Sequence, residues 1–125
     1  MSKRLLIVDD NQEFRTMLKS YLVSQKVPFE IYEANSAEMA VTKASFIKPH
    51  VILMDINLPQ ANGLVATREI LEEYPDTKLI ILTMFEIDVF KKAAMDVKAA
   101  DFIAKSEIYE KLIPALNKCA AVSAA

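Results

Sequence analysis

The chain has 125 residues, 53% of them hydrophobic and 26% charged, with a formal net charge of −2 at pH 7 and a single cysteine, Cys119. That length supports one domain with a substantial core, and the composition excludes a disordered chain. A slightly acidic balance argues against direct nucleic-acid binding, which needs a basic surface, and one cysteine excludes an internal disulfide framework.

The basic start Met1-Ser2-Lys3-Arg4 leads into the apolar run Leu5 to Val8, which stops at Asp9-Asp10. Four apolar residues are too few for a signal-peptide core or a membrane span, so the expectation is a soluble cytoplasmic domain with no membrane partner. The run reads instead as a strand buried on both faces. Asn11 offers an N-cap, and Phe14, Leu18, Tyr21 and Leu22 recur at helical spacing through about residue 25. Val27-Pro28 is expected to end that helix, because Pro cannot continue it. Phe29 to Glu33 alternates apolar and polar residues, as an outer strand with one wetter face does. Asn35-Ser36-Ala37-Glu38 supplies a cap for a second amphipathic helix carrying Ala37, Ala40, Val41, Ala44 and Ile47.

Val51-Ile52-Leu53-Met54 is a second fully apolar run, and it delivers Asp55 where it stops. Leu58 to Gly63 is a loop ending on the chain's only glycine. A helix follows with Leu64, Ala66, Thr67, Ile70 and Leu71, closed by Tyr74-Pro75-Asp76. Lys78 to Leu82 is a fourth strand and presents Thr83. Glu86 to about Val97 reads as a weakly apolar helix. Phe102-Ile103-Ala104 is a short fifth strand ending at Lys105, and Ser106 is expected to cap a last helix with Ile108, Leu112, Ile113 and Leu116 on its apolar side. The Ala-rich end, Ala120 to Ala125, extends that helix or frays. Strand and helix alternate five times, as βαβ units require, so the fold class is α/β with a parallel sheet covered on both faces.

The residues just past the strands form a set: Asp9 and Asp10, Asp55, Thr83 and Lys105. Only the second strand supplies no comparable group, which suits a sheet edge. Each alone has an ordinary explanation. A carboxylate after a strand often caps a helix, a Thr often makes a turn, and a Lys is often solvated. Together they crowd three carboxylates on the rim where open α/β sheets bind ligands, and such charges repel unless a cation relieves them. Mg²⁺ suits hard oxygen ligands and commonly bridges carboxylates and a phosphate. Facing it, a hydroxyl and an ammonium can hold phosphoryl oxygens, with a carboxylate as covalent acceptor.

The ordered set Val8-Asp9-Asp10, Met54-Asp55-Ile56-Asn57-Leu58-Pro59 with Asn62-Gly63-Leu64, Leu82-Thr83, and Asp101-Phe102-Ile103-Ala104-Lys105 resembles the receiver domain of two-component response regulators over nearly the whole chain. The resemblance implies a flavodoxin-like doubly wound (βα)5 fold with strand order 2-1-3-4-5 and a receiver over residues 1–121, followed by a tail, 122–125, that could lead to an output domain. It implies that Asp55 accepts a phosphoryl group from a sensor histidine kinase. Asp10 and Asp55 would bind Mg²⁺ directly, Asn57 through its backbone carbonyl, and Asp9 largely through water. Lys105 would pair with Asp55, Thr83 would donate to the attached group, and Phe102 matches the aromatic switch position. The chain would then be a signalling domain that catalyses only its own phosphorylation and dephosphorylation. A C-terminal DNA-binding domain, suggested by the stretch Leu58 to Leu82, and homodimer formation on phosphorylation are further expectations of the resemblance.

Three positions depart from the common family pattern. Met84, with Phe85 next, stands where a small residue is usual, so the acyl phosphate should be screened from water. Ser106 replaces a Pro that often follows the lysine, which leaves the isomer of the Lys105–Ser106 bond open. Lys98 stands where many members have Gly, so its turn must be made without a residue that reaches φ > 0 cheaply. Among the remaining residues, His50 is expected to be structural or solvated and Cys119 partly buried. Met17 and Ile108 are expected on a kinase-docking surface. Two rival functions share the fold, a flavodoxin-like ligand binder and a receiver-like interaction module that ignores phosphate. The first would need a Gly-rich phosphate loop after strand one, where this chain has Asp9-Asp10-Asn11-Gln12-Glu13.

Overall fold

The computed structural model describes residues 3–56, 63–84 and 98–124, with side chains through Cys119. Asn57, the loop up to Asn62, Phe85 and the helix expected over 86–97 lie outside the described residues. The strands are β1 (Lys3–Val8), β2 (Phe29–Ala34), β3 (Val51–Asp55), β4 (Lys78–Thr83) and β5 (Asp101–Ala104). The α-helices among the described residues are α1 (Gln12–Ser24), α2 (Ala37–Ile47), α3 (Gly63–Glu73) and α4 (Ile108–Ala124). All strand pairs are parallel, in the order β2-β1-β3-β4-β5.

The apolar runs are continuous because both faces of the sheet are covered, and alternate residues serve alternate faces. Leu6, Val8, Ile52, Met54, Leu79 and Ile81 point to the side of α2 and α3, where they pack with Ala37, Ala40, Ala44, Ala66 and Ile70. Leu5, Ile7, Val51, Leu53, Ile80, Leu82 and Ile103 point to the side of α1 and α4, against Leu18, Leu22, Leu112, Leu116 and Cys119. β2 lies at one edge and is mostly half-exposed, as its alternating sequence predicts.

Helix starts follow their caps. The Phe14 amide donates to Asn11 Oδ1 and the Met39 amide to Ser36 Oγ, each at 3.0 Å. Helix ends differ from expectation. α1 stops at Ser24, before Pro28 can act. Lys26 turns left-handed (φ 55°), its amide donates to the Val23 carbonyl, and the Val27 amide reaches back to Leu22. That is a Schellman stop, with Val27 packed on the same core cluster as Leu22. At the start of the last helix, Ser106 is not a cap. It lies inside a 3-10 turn, Lys105–Glu107, and no side-chain hydrogen bond caps that turn. The Lys105–Ser106 bond is trans. Pro114 falls inside α4, and the helix continues through Ala124, so residues 122–124 of the expected tail are helical. Burial of Leu112, Ala115, Leu116 and Cys119 on the sheet holds the helix together past the proline.

Candidate functional site

Register brings the strand ends level. Val8 pairs with Met54, Asp55 with Leu82, and Thr83 with Ala104, so Asp9, Asp55, Thr83 and Lys105 emerge along one rim. The rim is centred where strand order reverses between β1 and β3, the crevice in which doubly wound sheets bind ligands. Asp9 and Asp55 are almost completely buried, at 1% and 3% exposure, whereas Asp10 is open to solvent. Each of the three offers a carboxylate oxygen lying within 4.8 Å of the others.

Buried carboxylates are tolerated only with compensating charge and hydrogen bonds. Asp9 receives both. The Lys105 ammonium sits 2.7 Å from its Oδ2, and the Asn11 amide donates to its Oδ1 at 2.9 Å. Lys105 is also 3.6 Å from Asp55 Oδ2 and lies over the ring of Phe14, 4.1 Å from its centroid. The lysine therefore spans both carboxylates: the expected pairing with Asp55 is present, and Asp9 is a second, nearer partner.

A second cation braces the same loop and was missed in the sequence. Arg15, on the first turns of α1, donates from its guanidinium to the Asp9 carbonyl at 2.5 Å and to Glu33 Oε1 at 3.0 Å. Lys43 donates to the Glu33 carbonyl, and the Asp9 amide bonds to the Ala34 carbonyl. The ends of β1 and β2 are thus tied together beside the acidic cluster. Only the position of Arg15, one turn past the N-cap and facing back to the loop, could have signalled this.

Thr83 is fully buried at the end of β4, and Met84 beside it is 63% exposed. Phe102 is half-buried, against the cluster on the α2–α3 side of the sheet. Gly63 opens α3 with its Cα against the backbone of β3. A Cβ there would lie 2.7 Å from the Asp55 carbonyl oxygen and 2.7 Å from Ile56 Cα.

The expected docking pair does not assemble. Ile108 is buried at 1% exposure in the core, because α4 begins with that residue facing the sheet. Beside the half-exposed Met17 lies Tyr109, whose hydroxyl is 3.3 Å from the sulfur and whose ring meets Tyr21 edge-on at 4.8 Å. His50 is structural: its Nδ1 accepts the Arg4 amide at 3.0 Å, and its own amide donates to the Arg4 carbonyl. Burial, then the charges of Arg4 and Lys3, lower its pKa. Cys119 is buried, and desolvation pushes its thiol pKa up, which suits an inert core residue.

The fold agrees with what is found among known proteins. The chain belongs to the response regulator receiver domain family, which matches residues 5–117. The chemotaxis protein CheY of Thermotoga maritima is 36% identical over 119 residues, spanning 94% of this chain and 98% of that protein. Response regulator GacA of Pseudomonas protegens is 33% identical over 114 residues, spanning 91% of this chain and 54% of GacA, so the chain spans about half the length of that relative. A two-component response regulator of the LuxR family from Aurantimonas superposes with a TM-score of 0.87 at 25% identity, covering 97% of this chain and 86% of that one. The domain is accordingly a phosphoacceptor signalling module of the two-component type. Among the described residues no helix is long and apolar enough to cross a membrane.

Proposed function

We propose that Asp55 is the phosphoryl acceptor and that a sensor histidine kinase is the donor. The observation that carries this reading is the position of Asp55, buried at the end of β3 with an ammonium 3.6 Å away and two further carboxylates in reach. An Asp55 oxygen attacks the phosphorus of a phosphohistidine. The P–N bond breaks, and its electrons stay on the imidazole nitrogen, which takes up a proton.

Three carboxylates and one ammonium leave two negative charges, which a divalent cation balances, and the all-oxygen donor set fits Mg²⁺. Asp9, Asp10 and Asp55, with the Asn57 backbone carbonyl, would hold it, and it would supply positive charge to the phosphoryl oxygens. Lys105 neutralises charge from the opposite side and exchanges Asp9 for the new phosphoryl group. Thr83 donates its hydroxyl to that group, and Phe102 responds by changing its packing. Such a change is driven only by the difference in interaction between the two states. The same residues carry out loss of the phosphoryl group to water. The likeness to the transcriptional regulatory protein DegU supports a DNA-binding domain C-terminal to the receiver as effector, and the likeness to CheY a receiver that acts alone; dimerisation on phosphorylation is read by sedimentation with and without beryllofluoride.

Titration with beryllofluoride and Mg²⁺, a mimic of the acyl phosphate, tests the core of this reading. Saturable Mg²⁺-dependent binding is expected for the native chain and none for Asp55→Asn; a native chain that does not bind removes the proposal.

A further inference from the structure

We infer that Phe14 is a positioning residue for Lys105: the face of its ring forms the third wall of the seat that holds the ammonium between Asp9 and Asp55. The sequence assigns Phe14 only to the apolar stripe of α1. In the structure its ring borders the α1–α4 core cluster and also lies 4.1 Å, centroid to nitrogen, beneath the Lys105 ammonium. The Asn11 cap fixes the turn that carries it, since the Phe14 amide donates to Asn11 Oδ1, and the Asn11 amide in turn donates to Asp9. One loop therefore sets both the carboxylate and the ring that contact the lysine.

The chemistry favours a ring at this position. A lysine side chain has a flexible four-carbon stem, and its head is a compact charge with no directional fork. Between two carboxylates at 2.7 and 3.6 Å, an unsupported head would collapse on one of them. A π face attracts the cation without offering a lone pair, so it holds position without competing for the ammonium hydrogens. The Lys105 side chain is only 14% exposed, and cation–π attraction is stronger where water is excluded. The contact also tolerates sliding. The ammonium can shift from Asp9 toward a group on Asp55 while staying over the ring. A third carboxylate in that place would oppose the shift.

This inference rests on the phosphoacceptor reading of Asp55 for its consequence, but its geometry does not. Phe14→Leu keeps an apolar side chain on the core and removes the ring; Phe14→Tyr keeps the ring. The Lys105 ε-methylene protons, observed by NMR without Mg²⁺, are expected upfield of the ordinary lysine position in the native chain and in Phe14→Tyr, and at the ordinary position in Phe14→Leu. Beryllofluoride with Mg²⁺ is expected to bind Phe14→Leu roughly threefold to tenfold more weakly than the native chain, and Phe14→Tyr about equally well. Thermal melts establish that each variant is folded, and Phe14→Met replaces Phe14→Leu if the latter is not. Ordinary ε-proton shifts in the native chain, or unchanged affinity in the folded ringless variant, overturn the inference and leave the Asp55 reading intact. A native chain that shows the upfield shift and yet binds no beryllofluoride overturns the phosphoacceptor reading and the functional role of Phe14 with it, while the contact itself stands.

Discussion

Gly63 and Asp55 touch through their backbones: a Cβ on Gly63 would lie 2.7 Å from the Asp55 carbonyl oxygen, and the Cα of Ile56 is equally near. Neither neighbour is a flexible side chain that could yield, so any larger residue must push α3 away from β3 or displace the end of β3 itself. Gly63→Ala is expected to cost about 1–3 kcal/mol, the range for overpacking a close contact, and to weaken Mg²⁺–beryllofluoride binding as well. Urea unfolding and ligand titration on the same preparation check both parts. Native stability in the alanine variant would show that the two segments part freely.

Why that glycine is needed was not legible in the sequence, although the rim it supports was. Strands of a parallel sheet all run the same way and end on one rim, so Asp9, Asp55, Thr83 and Lys105 could be placed together from the ends of the apolar runs. Both core faces, the Asn11 cap and a cap within Asn35-Ser36-Ala37-Glu38 followed from periodicity and local chemistry in the same way, whereas the strand order came from the family resemblance. The second partner of Lys105, Asp9, did not follow. Direction along a long side chain is set by groups brought in from other elements, here Asp9 from β1 and Phe14 from α1. Helical spacing assigned Phe14 to a face and could not show that the ring has two neighbours. Ile108 shows the limit of analogy instead: its spacing with Leu112 and Leu116 placed it on the buried face, and only the family analogy put it on a docking surface.

Met84 stands next to the buried Thr83 with most of its side chain in solvent, at the mouth of the acidic rim. With Asp55 as the proposed phosphoryl acceptor, a bulky thioether beside Thr83 is expected to obstruct the approach of water to the attached group. Met84→Ala is expected to speed loss of that group a few-fold, less than the tenfold that about 1.4 kcal/mol of barrier represents. Phosphorylation with a small-molecule donor followed by decay of the phosphoprotein measures it. An unchanged decay rate would mean that Met84 does not screen the site.

His50 joins the starts of β1 and β3 only in its neutral form, because Nδ1 must accept the Arg4 amide. Burial and the nearby Arg4 and Lys3 charges lower its pKa in the fold, so the unfolded chain binds this proton more readily than the folded one. Stability therefore rises with pH across that titration. The contribution is complete above the ordinary histidine pKa, about 6.5, and is lost as pH falls through the lower folded value. Urea unfolding at pH 7.5 and 5.5 is expected to show this loss. His50→Asn keeps an acceptor oxygen near the Arg4 amide and has no proton to gain, so it should lose less stability over the same interval. Equal losses in both proteins would assign the pH dependence to other groups.

Lys98 makes the turn before β5 with φ at 64°, a left-handed conformation that a side chain with a Cβ adopts at a cost. The position carries no requirement for lysine chemistry that the geometry reveals, and the Ala100 amide bond to the Leu79 carbonyl holds the following backbone on β4. Lys98→Gly removes the steric cost but also gives the unfolded chain more freedom, which offsets part of the gain. The expected net effect is stabilisation by about 0.5–1 kcal/mol, seen as a higher urea midpoint with an unchanged slope. Lys26, at φ 55° in the Schellman stop of α1, should respond in the same direction when replaced by glycine. The two sites lie on different turns, so their effects should add in the double variant. A lower midpoint for Lys98→Gly would show that its side chain contributes more to the folded state than the left-handed backbone costs.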